Sequence, residues 1–189
     1  VKTLSSDTIA IKEINSYLNK ITDDTILKIT AEIQTRLVGR DYLQSMILET
    51  LVEKCLLYPQ YIPTYLKLLS GLYPDPHIHP RFMECVQRVY EKVVTDEINT
   101  EESEYLQFCS KNKRLDKIIG HSLLITECEK KGLVEGQIHQ TLQSLLEILS
   151  ETTDNDEKYK GVQCIYTIMK SLYGTHPLPE GYNLRLHSL

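Results

Sequence analysis

Apolar residues along most of the chain return every three or four positions, the spacing that lines side chains on one face of a helix. Ile11, Ile14, Leu18 and Ile21 make the first such stripe, and Ile26, Ile29, Ile33 and Leu37 the second. Between them Thr22, Asp23 and Asp24 offer a capping hydroxyl and two carboxylates to the positive end of the second helix. Gly39 stops that helix. Leu43, Met46, Ile47, Leu51 and Cys55 mark a third, closed by Pro59, and Tyr61, Tyr65, Leu68, Leu69 and Leu72 mark a fourth. The stretch YPDPHIHP, Tyr73 to Pro80, holds three prolines in eight residues and is expected to be loop. The period resumes with Phe82, Met83, Val86, Val89, Tyr90 and Val93, pauses in the acidic stretch from Thr95 to Glu104, and returns at Leu115, Ile118, Ile119, Leu123 and Leu124. Beyond Gly132 come Val134, Ile138, Leu142, Leu145, Leu146 and Leu149, an acidic linker at 151–157, and a last stripe of Val162, Ile165, Met169 and Leu172.

Eight helices in consecutive pairs of ~40 residues have the period of HEAT-type solenoids. The expected fold is all-α, a HEAT-type superhelix of about four antiparallel helix pairs over 1–173 with an extended tail at 174–189. The same helices also suit a globular bundle, and periodicity alone does not choose between the two.

Composition narrows the function. The chain has 189 residues, long enough for one domain with a core and short for two. A net charge of −5 gives no global positive field for phosphate, so any nucleic-acid contact must use a local patch. Cys55, Cys85, Cys109, Cys128 and Cys164 are scattered, with no CxxC pair, and read as reduced core thiols of a cytosolic or nuclear protein. No apolar run approaches the ~20 residues that span a bilayer. The chain opens at Val1 rather than Met, as expected of a piece of a longer protein.

Candidate chemistry is sparse. No Gly-rich phosphate loop, nucleophile elbow or tight carboxylate pair with a histidine is present, so the chain is expected to hold other macromolecules rather than to catalyse, with no cofactor. His77, His79 and Cys85 fall short of the four convergent ligands of a zinc site, so no metal is expected. Lys111, Lys113, Arg114 and Lys117 cluster where a helix is expected to start, with Lys130 and Lys131 at its end. Basic residues at a positive helix end disfavour the helix, which fits an RNA-binding patch; a solvated face balancing the acidic stretch before it fits equally.

Four strings in order carry a resemblance. They are LNKIT at Leu18 to Thr22 with Ile26 four positions on, LVEKCLLYPQYIPTYLKLL at Leu51 to Leu69, VQRVYEK at Val86 to Lys92, and GHSLLITECEKKGLV at Gly120 to Val134. In this order the chain resembles the middle domain of the eukaryotic initiation factor 4G family, with Glu53, Lys54, Cys55, Pro59, Tyr61 and Tyr65 in the family's places. His121, Leu124 and Thr126 depart from its fourth string. The resemblance implies a crescent of helix pairs that docks a DEAD-box RNA helicase of the initiation factor 4A type and touches mRNA in the cytoplasm. A cap-binding protein would be held through flanking segments. The helicase-facing positions it implies are Asn19, Lys20, Thr22 and Ile26, although Asn19 and Thr22 also suit plain helix caps. The family's closing repeat, with a Ser-Ser-Arg-Ile-like string that grips the helicase's other lobe, has no match here, and the chain has no Trp to supply an aromatic anchor ahead of the first repeat. An adaptor of RNA decay, splicing or export, and a protein-interaction solenoid without RNA, remain open on the same fold.

Overall fold

The computed structural model describes residues 5–95 and 103–172. They form eight α-helices: α1 (Ser6–Leu18), α2 (Ile26–Leu37), α3 (Gln44–Leu57), α4 (Ile62–Leu72), α5 (Ile78–Thr95), α6 (Glu104–Lys130), α7 (Gln137–Glu151) and α8 (Asn155–Leu172). No strand occurs among the described residues. The main packing runs within the pairs α1/α2, α3/α4, α5/α6 and α7/α8, and between consecutive pairs through α2 on α4, α3 on α5 and α6, and α6 on α7 and α8. Packing that runs mainly between neighbours in the stack is the mark of a solenoid, and it settles the choice that periodicity left open. One apolar core runs unbroken from Ile14 to Leu172. The tail expected at 174–189 lies outside the described residues.

Most predicted stripes point inward, and the exceptions have physical causes. In the Tyr73–Pro80 stretch, expected to be loop, the helix already begins at Ile78. Pro80 falls in its first turn, where a backbone N–H has no helical partner to lose. Asp75 prepares this start by accepting a bond from the His77 N–H at 3.0 Å. The acidic linker at 151–157 shrinks to three residues, because Glu151 ends α7 and the Asp154 carboxylate accepts the N–H groups of Asp156 and Glu157 at the head of α8. On α8 the buried stripe is Gly161, Cys164, Ile165, Ile168 and Leu172, while Val162 is exposed. Nor do Thr22, Asp23 and Asp24 cap α2. Thr22 and Thr25 hydrogen-bond each other, and Asp23 pairs with Lys67 of α4.

One glycine controls the stack. A Cβ on Gly120 of α6 would lie 2.8 Å from Leu56 Cα and closer still to its carbonyl oxygen, so α6 rests directly on the backbone of the last turn of α3. The next residue, His121, is 7 % exposed, and its ring stacks on Tyr90 of α5 with centroids 3.8 Å apart. Its Nε2 has no hydrogen-bond partner, and burial holds its pKa down at about 4. Burial also lifts the thiols of Cys55, Cys85, Cys128 and Cys164, the last two to about 12, which keeps them protonated and unreactive, whereas Cys109, expected in the core, is only half-buried. At the other end of α6, Glu129 supplies the cap that α7 lacks. Gly136 turns in the left-handed region at φ 72°, and the Glu129 carboxylate accepts from the N–H groups of Gly136, Gln137 and Ile138 at 3.1, 2.9 and 3.0 Å.

Three outcomes are expected. Gly120→Ala forces α3 and α6 apart and lowers stability by about 1–3 kcal/mol in urea unfolding, despite alanine's better helix propensity. Gly71→Ala, which meets only the Thr30 side chain, stays within about 1 kcal/mol of wild type. His121 is neutral when folded and takes up a proton more readily when unfolded, so stability falls as pH drops from 6.5 towards about 4, by roughly 3 kcal/mol in full. His121→Phe removes this part of the slope, read as the difference between variant and wild-type unfolding free energies across that range.

Candidate partner-binding groove

The link between α1 and α2 is short and polar at its tip, and it is tied down residue by residue. Asn19 ends α1, its backbone N–H bonded to Asn15 O at 3.1 Å, and Lys20 N–H follows on Tyr17 O at 3.0 Å. Asp23 binds Lys67 Nζ at 2.9 Å and accepts from the Thr64 hydroxyl at 3.3 Å, which fastens the link to α4. The Lys67 ammonium holds the Asp23 carboxyl below its usual range. From α3, Lys54 Nζ donates to the Asn19 side-chain oxygen and lies 5.6 Å above the Tyr58 ring. Pro59 sets a 3-10 turn, Pro59–Tyr61, that separates α3 from α4 and holds Tyr58 and Tyr61 at the surface. Tyr65 is buried beneath them, its hydroxyl 3.5 Å from Leu18 O, and burial pushes its pKa up to about 12.

These elements enclose an open groove of about 420 Å³ between the first and second helix pairs. Asn19, Lys20 and Thr22 form one wall, and Lys54, Tyr58, Tyr61 and Tyr65 the other. No carboxylate lines it, and two lysines do. Ile26 stands apart from the groove, partly buried against the core as the first residue of α2, whereas its neighbour Leu27 is 84 % exposed. The wall from α3 and α4 was present in the LVEKCLLYPQYIPTYLKLL string, but nothing in the sequence says that it meets residues some 35 positions earlier.

The basic cluster fares differently. Helix α6 starts at Glu104, with Ser103 accepting from Leu106 N–H at 3.4 Å, so Lys111, Lys113, Arg114 and Lys117 lie inside the helix and not at its positive end. The expected conflict with the helix dipole is absent because an acidic first turn occupies that end. Arg114 reaches across to cap the Val94 carbonyl at the end of α5. Lys130 pairs with Glu127, and Lys131 is the C-cap of α6. At 1.5 Å per residue, Lys111 and Lys130 are roughly 28 Å apart along the axis, so the six do not form one patch. Lys111 and Lys113 are exposed on the first three turns of α6, where none of residues 104–114 is buried and Tyr105, Leu106 and Phe108 are exposed as well. Cys85 is a core residue, and no group of three or more metal-ligating side chains occurs among the described residues.

Comparison with protein families matches residues 11–175 to the MIF4G domain. The chain belongs to the MIF4G domain family. MIF4G domains are scaffolds, not catalysts, in proteins that handle RNA and helicases in translation or RNA metabolism. No curated protein and no solved structure is matched. Among the described residues of this MIF4G domain, no helix is long and apolar enough to cross a membrane. The match spans all four helix pairs, and the groove lies within it.

Because Arg114 caps α5 while Lys111 and Lys113 face solvent, their removal separates the two roles. Arg114→Ala lowers unfolding stability by about 1 kcal/mol, the worth of a helix-end contact, while Lys111→Ala and Lys113→Ala stay within about 0.5 kcal/mol.

Proposed function

We propose that this MIF4G domain is a translation-initiation scaffold that binds a DEAD-box RNA helicase of the initiation factor 4A type through the groove between its first two helix pairs. The observation that carries this reading is the convergence of Asn19, Lys20 and Thr22 with Lys54, Tyr58 and Tyr61 on one open surface. Tyrosines at its edge offer contact area at little entropic cost, and lysines without a lining carboxylate suit a partner face bearing acidic groups. A scaffold needs no chemistry of its own. Gripping the helicase raises the population of its closed, ATP- and RNA-competent state by as much as the scaffold prefers that state. The reading puts this work in the cytoplasm, beside a cap-binding protein held by flanking segments. An adaptor of RNA decay, splicing or export would present the same groove to a different helicase.

A second contact, with mRNA, is supported by the first three turns of α6, on which Tyr105, Phe108, Lys111 and Lys113 are all exposed. Aromatic faces stack on bases while lysines follow the phosphates, a pairing that suits single strands. Lys117 belongs to the same half of the helix, and Lys130 and Lys131 do not.

The test is a binding and ATPase assay with the purified domain and an initiation factor 4A type helicase. The domain raises the ATPase rate, and Lys20→Glu with Tyr61→Ala weakens binding at least tenfold, about 1.4 kcal/mol, without moving the unfolding midpoint. No binding and no stimulation would sink the helicase reading. In the same preparation, Lys111→Glu with Lys113→Glu lowers RNA affinity and flattens its dependence on log salt by about 1 to 2; an unchanged slope removes the RNA contact.

A further inference from the structure

Helix α8 is the last helix of the described stack, and its two faces are built differently. The buried stripe from Gly161 to Leu172 packs on α6 and α7. Half a turn round the helix lie Asp156, Tyr159, Gln163, Tyr166 and Lys170, all exposed, with Tyr159 and Tyr166 at 64 and 63 %. Val162, three residues from the first tyrosine and four from the second, is exposed on their flank. The outer surface of a terminal repeat is ordinarily polar, whereas this one carries aromatic rings along its middle.

Spacing adds to composition. Steps of three, four, three and four residues keep the five positions on one straight seam along the axis, the layout by which one helix packs along another. The polar groups of the seam are only partly spent. Gln163 donates its side-chain amide to the Tyr159 hydroxyl at 2.7 Å and keeps its carbonyl to accept, and the Tyr166 hydroxyl has no partner among the described residues. Neither the Asp156 carboxylate nor the Lys170 ammonium has an ion pair among them, whereas Lys160, turned toward α6, pairs with Asp116.

Charge then selects the occupant. The seam calls for a helix with a base opposite Asp156, an acid opposite Lys170 roughly 21 Å along the axis, and aromatic or apolar side chains between. The same face of a second copy, turned end for end, is such a helix. Lys170 of each copy then falls opposite the partner's Asp156, the tyrosines interleave at the centre, and the Tyr166 hydroxyl comes within reach of the partner's Gln163 carbonyl. A parallel copy would set acid on acid and base on base. We propose that the outward face of α8 is a homodimer interface, formed by two copies packed antiparallel about a twofold axis near Gln163. The face shares no residue with the groove between the first two pairs or with the exposed turns of α6, so it is independent of the helicase and RNA contacts.

The test is sedimentation equilibrium of the full chain under reducing conditions, which keep the half-buried Cys109 from cross-linking. The mass is expected to rise with concentration from the 21.9 kDa of one chain towards twice that value. A dissociation constant on the order of 10 µM corresponds to a contact of one helix face. Tyr159→Ala with Tyr166→Ala weakens association at least tenfold without moving the unfolding midpoint, because both side chains are exposed. Asp156→Lys and Lys170→Asp each weaken it at least fivefold alone, and an equimolar mixture of these two variants restores it, because each end again pairs an acid with a base. Failure of that mixture to associate would overturn the proposal, as would a dimer indifferent to the tyrosine change. So would a chain still monomeric at about 1 mM. In that case NMR contacts from the Tyr159 and Tyr166 rings to residues 173–189 assign the face to the chain's own tail, and their absence leaves it to the helix of another protein.

Discussion

Helix α6 crosses α3 at a point where a single carbon atom decides the geometry. Gly120 has no Cβ, and the backbone of Leu56 occupies the space a Cβ would need. Because α6 also packs against α5, α7 and α8, its seat on α3 fixes how the second, third and fourth pairs stack. Close-packed interiors do not absorb such a displacement locally, so a shift at this crossing propagates to the seams on either side. His121 sits one residue further on. Set against Tyr90 by the same close approach, it is left with a nitrogen that no neighbour reaches.

Stability and register come from different sources in this stack. The continuous apolar core supplies most of the stabilisation, since burial of aliphatic side chains contributes about 1.5–3 kcal/mol each before entropy is counted. The polar links between pairs, Asp23 with Lys67, Glu49 with Lys92 and Asp116 with Lys160, are exposed to solvent and contribute at most about 1 kcal/mol apiece. Their effect is to fix which turn faces which. Each seam then leaves loop residues and helix ends that belong to neither pair, and the groove described above arises at one of them. Functional surfaces at seams follow from the architecture, because side chains inside a pair are already spent on packing.

Much of this was legible along the chain. A three-and-four period marks a helix wherever one face is buried, and it located all eight. It misjudged the borders for identifiable reasons. Pro80 is harmless in a first turn, and Asp154 caps α8 within what read as a linker. In α8 the buried face is carried partly by Gly161, which has no side chain to mark an apolar stripe. The basic cluster was visible as composition, but its split was not. Helical phase turns Arg114 toward α5 and leaves Lys111 and Lys113 to solvent.

By itself the sequence determined the class of fold, the number of helices and the family strings, because those depend on local periodicity and on residues close together in the chain. Only the tertiary structure decided which distant residues share a surface. Asn19 meets Lys54, and Thr22 lines the same groove as Tyr61, because α2 packs on α4 and Asp23 is held by Lys67. Gly120 stood in a family string, yet its reason is the backbone of Leu56, some 64 positions away, and no spacing rule within a helix reaches that far.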